Sequence, residues 1–210
     1  MRITPLSVLI VLLSTAAMGA PITTLYNTGV DSTGALLVGG NGTADTHYTV
    51  ISGPGAPTGA DTYFNGAYFA DGPLSRWISS TGTGGPSAGS YVFETTFDLT
   101  GFDPTLTSIS GQCATDNSLS GITLNGGSVS GDCDGFGSFG ALFSISSGFV
   151  GGVNSLQFTV VDAGSPMAFR AQFTSDTTPL GPSAIPEPSA FVLMGGGLLL
   201  IAARLKRKRA

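Results

Sequence analysis

Apolar residues are distributed in two ways along this chain of 210 residues. Near each end they run almost without interruption, at 6–13 and again at 190–203. Between the ends they come in short bursts broken by Gly, Ser, Thr, Asn and Asp. Several bursts alternate as a strand with one buried face must: Leu156, Phe158 and Val160 fall on one side, Gln157, Thr159 and Val161 on the other. The pattern predicts strands over 35–38, 47–52, 62–70, 76–79, 91–99, 106–113, 122–124, 141–146, 155–161 and 168–173. Turn dipeptides recur between them, among them Asn65-Gly66, Asp71-Gly72, Asn125-Gly126 and Asp134-Gly135. Many short strands without helical interludes predict an all-β fold, a single β-sandwich or jelly roll.

The two uninterrupted runs read as addresses rather than as parts of that fold. Arg2, the apolar stretch 6–13 and the small residues Ala16, Ala17, Gly19 and Ala20 follow the order of a secretory signal peptide, with the mature chain beginning near Ala20. At the other end, Pro186-Glu187-Pro188 precedes an apolar run of 14 residues and the basic cluster Arg204, Lys206, Arg207, Lys208 and Arg209. As a helix that run spans roughly 21 Å, short of a hydrocarbon core of about 30 Å. It makes a short transmembrane helix whose basic tail stays in the cytoplasm. The resulting division is a signal peptide at 1–19, a β-sandwich domain at 20–173, an extended linker at 174–185 holding Pro179 and Pro182, and a sorting segment at 186–210.

Charge sharpens the picture once the ends are set aside. Only Arg76 and Arg170 remain between them, against twelve acidic residues from Asp31 to Asp176, a formal charge near −10. Such a domain disfavours nucleic acid and anionic membrane, and leaves cations and neutral sugars as partners. The two cysteines, Cys113 and Cys133, both lie in the exported part, where oxidation is allowed, and are expected to form a disulfide. Closing a loop of about 20 residues is worth on the order of 3 kcal/mol.

The C-terminal layout of Pro186-Glu187-Pro188, apolar span and basic end resembles the PEP-CTERM sorting signal of exopolysaccharide-producing Gram-negative bacteria. That resemblance implies recognition of Pro186, Glu187 and Pro188 by an exosortase in the inner membrane. It further implies loss of the tail on the way to the cell surface or extracellular matrix. Two prolines also fix an extended backbone that no helix absorbs, leaving the segment open to a protease. A second resemblance, over residues 75–173, is to the galactose-binding-like jelly-roll domains of PEP-CTERM proteins and carbohydrate-binding modules. It is carried by the run from Tyr91 to Phe102, by Ile109-Ser110-Gly111-Gln112-Cys113-Ala114-Thr115-Asp116-Asn117, by Ile122-Thr123-Leu124-Asn125-Gly126, and by Phe143, Phe149 and Asn154-Ser155-Leu156. Cys113 stands where that pattern often carries an aromatic.

Candidate chemistry is sparse. His47 is the only histidine, and a lone histidine in an alternating strand is usually structural, so no catalytic residue is assigned. Asp98, Asp103, Asp116, Asp132 and Asp134 are the carboxylates from which a glycosidase pair would have to come. Asp132, Asp134 and Asp116-Asn117 also offer oxygen ligands for a structural calcium ion, the one cofactor considered. Sugar binding needs an aromatic face and groups that bond hydroxyls, which singles out Trp77, Asp116, Asn117 and Asn125, with Tyr63 and Tyr68 behind them. The sequence thus describes an exported, non-enzymatic surface or matrix protein, structural or adhesive, with weak binding of extracellular polysaccharide. An extracellular hydrolase such as a glycosidase and a self-assembling appendage subunit are the alternatives.

Overall fold

The structure, a computed structural model, describes residues 19–55, 58–85 and 87–180. The expected signal peptide up to residue 18, the end of the expected linker and the sorting segment lie outside them.

Among the described residues the chain forms eleven strands: β1 Ala44–Asp45, β2 Thr49–Ser52, β3 Ala60–Thr62, β4 Ile78–Ser79, β5 Gly89–Asp98, β6 Phe102–Asp116, β7 Ser118–Leu124, β8 Gly127–Val129, β9 Phe143–Ile145, β10 Val153–Asp162 and β11 Ala168–Pro179. They build two antiparallel sheets, ordered β1-β3-β4-β11-β6-β9 and β2-β5-β10-β7-β8. From β4 onward the pairing is nested: β4 with β11, β5 with β10, β6 with β9 and β7 with β8. The eight strands are therefore one long hairpin rolled up so that consecutive strands, apart from the β7–β8 hairpin, alternate between sheets, which is jelly-roll connectivity.

The core is the layer between the sheets. Strand alternation sends Tyr91, Phe93 and Phe97 of β5 and Leu156, Phe158 and Val160 of β10 inward, all essentially without solvent contact. Ile109 and Cys113 of β6 and Phe169 and Ala171 of β11 meet them from the other sheet. Phe158 and Phe93 pack on Phe169 with ring centroids 4.8 and 5.2 Å apart, within the range of favourable aromatic pairs. Cys113 and Cys133 are joined with Cα atoms 4.9 Å apart, tying the β8–β9 connection to β6. Thr115 Oγ1 donates to Cys133 O (2.9 Å) and Gly140 N donates to Cys113 O (2.9 Å) beside the bridge.

The outward faces of the two sheets differ. Over the six-stranded sheet, the segment between β3 and β4 folds back as a roof, and Tyr68 and Trp77 with Tyr63, Phe69 and Phe139 cover Ala114 and Ala168. Beneath the roof lies Arg170, only 2 % exposed, its guanidinium 4.7 Å from the Phe69 ring and 4.9 Å from that of Phe139. Its Nε donates to Ser75 Oγ (2.9 Å) and its Nη1 to Ala70 O (2.7 Å). Arg76, the other cation of this domain, pairs with Asp71 at 3.0 Å in the same roof. The five-stranded sheet has no such cover. One register line crosses all its strands as Thr49, Glu94, Gln157, Thr123 and Ser128, polar at every position.

Three expected elements differ. The stretch 35–38 forms only a bridge, between Val30 and Leu36. Strand β3 ends at Thr62 because Asn65 turns the chain, its carbonyl accepting Tyr68 N (2.9 Å) and its side chain Ala67 N (3.0 Å), so 63–70 is roof rather than strand. The linker does not begin at 174: β11 continues to Pro179. Thr177 is fully buried, exchanges backbone hydrogen bonds with Ala20 (2.8 and 2.9 Å), and lies 2.7 Å from the Thr107 hydroxyl. Polar residues continue the strand there because β6 on one side and the N-terminal segment on the other supply partners.

Two outcomes follow from this architecture. Intact mass after alkylation should show no free thiol until a reductant is added, and Cys113→Ala with Cys133→Ala should lower unfolding free energy by about 3 kcal/mol in urea titration. Arg170→Ala should cost a further ~3 kcal/mol, since it strands the buried Ser75 hydroxyl, frees the Ala70 carbonyl and empties the space between two rings; Arg170→Lys should recover only part, because an ammonium lacks the planar fork.

Candidate functional site

The sequence-predicted ligand residues do not form one cluster. Three of them meet where β6 ends. The backbone passes from one sheet to the other through the single residue Asn117, and that crossing sets their positions. Asp116, the last residue of β6, faces the roof and is 5 % exposed. Its Oδ2 accepts the Tyr68 hydroxyl at 2.8 Å and its Oδ1 accepts Asn117 Nδ2 at 2.8 Å. Asn117 is exposed, yet its Oδ1 accepts Ala163 N (2.7 Å), its own N–H donates to Val161 O (3.3 Å), and its carbonyl accepts Gly135 N (3.3 Å). Trp77 reaches Asp116 only through Tyr68. Its ring is 4.7 Å from Tyr68 and 5.2 Å from Phe69, its Nε1 donates to Phe69 O (2.9 Å), and it is 1 % exposed. It packs as the keel of the roof.

Asn125 lies apart, in the β7–β8 turn, with a left-handed φ of 51° that an asparagine tolerates. Its amide is spent on the neighbouring chain: Nδ2 donates to Gly148 O (2.9 Å) and Asn154 Oδ1 (2.8 Å), and Oδ1 accepts Ser155 N (2.9 Å). Asp134 Oδ1 accepts Leu119 N (2.6 Å) and Asp132 Oδ1 accepts Asp134 N (3.1 Å), so both shape the disulfide loop. Among the described residues, no group of three or more His, Cys, Asp or Glu side chains converges to hold a metal ion. Asp98, exposed at the end of β5, and Asp103, half-buried near the start of β6, are held by Thr100 and Thr105, whose hydroxyl and backbone hydrogen bonds keep both carboxyls below the ordinary carboxylate value. Asp103 and Asp116 stand near opposite ends of β6, opposite Thr178 and Ala168 of β11, roughly 33 Å apart at about 3.3 Å per paired residue, far beyond the reach of a glycosidase pair.

Sequence reasoning missed the partner that makes the Asp116 cluster unusual. Asp162, the last residue of β10, is 3 % exposed; its Oδ1 accepts Gly164 N (2.9 Å) and its Oδ2 has no partner among the described residues. Burial drives the Asp116 carboxyl above its ordinary value, the Tyr68 hydrogen bond opposes the shift, and the negative charge of Asp162 adds to it. The same burial and the Asp116 carboxylate push the Tyr68 hydroxyl far up, so it remains a donor. Both oxygens of Asp116 and the Trp77 indole are already engaged within the fold.

A carboxyl whose folded pKa lies above its unfolded value binds its proton more tightly when folded, so its ionisation weakens the fold as pH rises through that window, and the loss is absent below it. Asp116 meets this condition, and so does Asp45, buried and raised in spite of accepting Gly29 N (2.7 Å) and His47 N (2.9 Å). Thermal melts of Asp116→Asn between about pH 4 and pH 7 should therefore fall less steeply with pH than those of the unsubstituted protein.

Residues 184–208 match the PEP-CTERM protein-sorting motif. No curated protein and no solved structure matches the chain. The match contains Pro186, Glu187 and Pro188 and marks the chain as one that an exosortase, a membrane protein, processes on its way to the cell surface or exterior.

Proposed function

We propose that this is a non-enzymatic surface or extracellular-matrix protein that carries one galactose-binding-like jelly roll into the polysaccharide layer and holds it there by weak carbohydrate binding. The sorting motif carries the reading, because it assigns the compartment in which the sandwich works. The nested strand order supports the likeness to galactose-binding-like domains. The domain's formal charge near −10 and its lack of lysine suit a hydrated matrix and select against acidic polymers unless a cation such as calcium bridges them. Passage through the inner membrane is transient, with the basic tail cytoplasmic until the segment after Pro188 is removed. The reading requires no cofactor.

The protein isolated from the surface and medium of its producer should have a mass lacking both 1–19 and the apolar tail. With Pro186→Ala and Pro188→Ala together, the mass should retain 190–210 and the protein should stay in the membrane fraction. Pull-down on the producer's own polysaccharide should retain the processed protein; a protein that passes through unretained removes the carbohydrate part and leaves a structural role.

A further inference from the structure

The uncovered face of the five-stranded sheet holds a cleft. The N-terminal segment laps against the β2–β5 side of that sheet, with Thr24 Oγ1 accepting Asp98 N at 2.8 Å. Tyr26 lies flat on His47, ring centroids 3.7 Å apart and planes 13° from parallel. Between this ridge and β5 is a space of about 280 Å³ lined by Thr24, Tyr26, His47, Thr49, Glu94 and Thr96. The size is near the lower end of small-molecule pockets, roughly 300 Å³, and allows one ring-sized group.

Its floor is ordered in advance. Ser155 Oγ (2.6 Å) and Gln157 Nε2 (3.0 Å) both donate to Glu94 Oε1, and Gln157 in turn accepts Thr123 Oγ1 at 3.4 Å. Every one of these bonds to the carboxylate ends on Oε1, while Oε2 has no partner among the described residues. In the wall of the cleft His47 Nε2 is shielded from solvent and also lacks a partner. A carboxylate fixed through one oxygen with the other free, surrounded by threonine hydroxyls and beside an aromatic ring, matches a ligand with adjacent hydroxyls on one edge and C–H groups on a face.

The geometry points to this cleft as the subsite for a neutral sugar ring, with Glu94 accepting from its hydroxyls and Tyr26 bordering its apolar face. This rests on the carbohydrate-binding reading above and locates it. The polar lining does not suit an apolar molecule, the acidic domain repels an acidic sugar, and one carboxylate is too few for a divalent cation, which takes six or more oxygens and usually several carboxylates.

The test uses isotope-labelled protein purified from the producer's surface, titrated with cellobiose, maltose and mannobiose and, as an acidic counterpart, with oligogalacturonate, while amide resonances are followed. At least one neutral disaccharide should move Thr49, Glu94, Thr96 and Gln157, and oligogalacturonate should not. Glu94→Gln, which keeps the Ser155 and Gln157 side chains in place, should weaken binding roughly tenfold or more with the spectrum otherwise unchanged. Neutral sugars that shift only residues around Asp116 or Asn125, or that bind Glu94→Gln as well as the unsubstituted protein, overturn the cleft and leave the carbohydrate reading standing. Binding of the acidic oligomer in the cleft overturns the neutral assignment. If none of the neutral sugars moves any resonance of the unsubstituted protein, the cleft and the carbohydrate reading fall together.

Discussion

Where the end of β6 meets the start of β11, over 113–116 and 168–171, the antiparallel ribbon is buried on both faces, and the remaining elements are arranged around that condition. It runs from Ala168 opposite Asp116 to Pro179 opposite Phe102. On its inner face Phe169 and Ala171 complete the sandwich core; on its outer face Ala168, Ala114 and Arg170 need a second cover. A slip of one residue would exchange Phe169 with Arg170 and drive a guanidinium between the sheets. The roof between β3 and β4, with Arg76 in it and Arg170 beneath it, buries that outer face without leaving Arg170 unsatisfied. The disulfide fixes the same ribbon from the inside, at Cys113. Register, roof and bridge all fall on the ribbon that closes the roll.

The sandwich was legible because its central strands are buried on one side. In 91–98 and 155–161 the apolar period reports that burial directly. Burial and pairing are separate properties, however, and the departures fall where they part company. Tyr68, and in part Tyr63 and Phe69, are covered by packing on the ribbon's outer face, in a loop that forms no ladder and reaches other segments only through single backbone bonds, from Tyr63 N to Trp77 O and from Phe69 N to Phe136 O. Residues 174–179 are mostly polar and read as a tether, yet they pair, because a long neighbour and the Ala20 backbone present the missing donors and acceptors. Strands β1 and β8 are too short for any period to reveal.

Legibility of the site has a different limit. Trp77, Asp116, Asn117 and Asn125 are residue types that bind sugars, and they are equally the types that build turns and satisfy buried backbone. A sequence gives the valence of a polar group and not whether the fold has used it. Asp116 and Asn125 have spent theirs within the chain. Glu94 was invisible for the opposite reason: it occupies an outward position in perfect alternation, like any solvated strand residue. What sets it apart is register, which brings Gln157 and Thr49 to either side of it. The sorting motif needed no such knowledge, since its three parts are contiguous in the chain.

A surface protein can engage its surroundings through sheet edges or through sheet faces, and here the edges are weak. The outermost strands are β1 and β9 in one sheet and β2 and β8 in the other, with two, three, four and three residues. Short edge strands offer few unpaired backbone groups, so polymerisation by strand addition has little to work with. Of the two faces, the six-stranded one is roofed, and Arg76, Arg170 and most of the roof's aromatic rings are spent internally. The five-stranded one is open and crossed by a line of polar side chains roughly 19 Å long at about 4.8 Å per strand. Those side chains are hydroxyls and an amide, with a single carboxylate. Such a line resists burial against an apolar partner, whose contact would strand the Thr49 and Ser128 hydroxyls and the second oxygen of Glu94, and its chemistry suits a partner that is itself a row of hydroxyls.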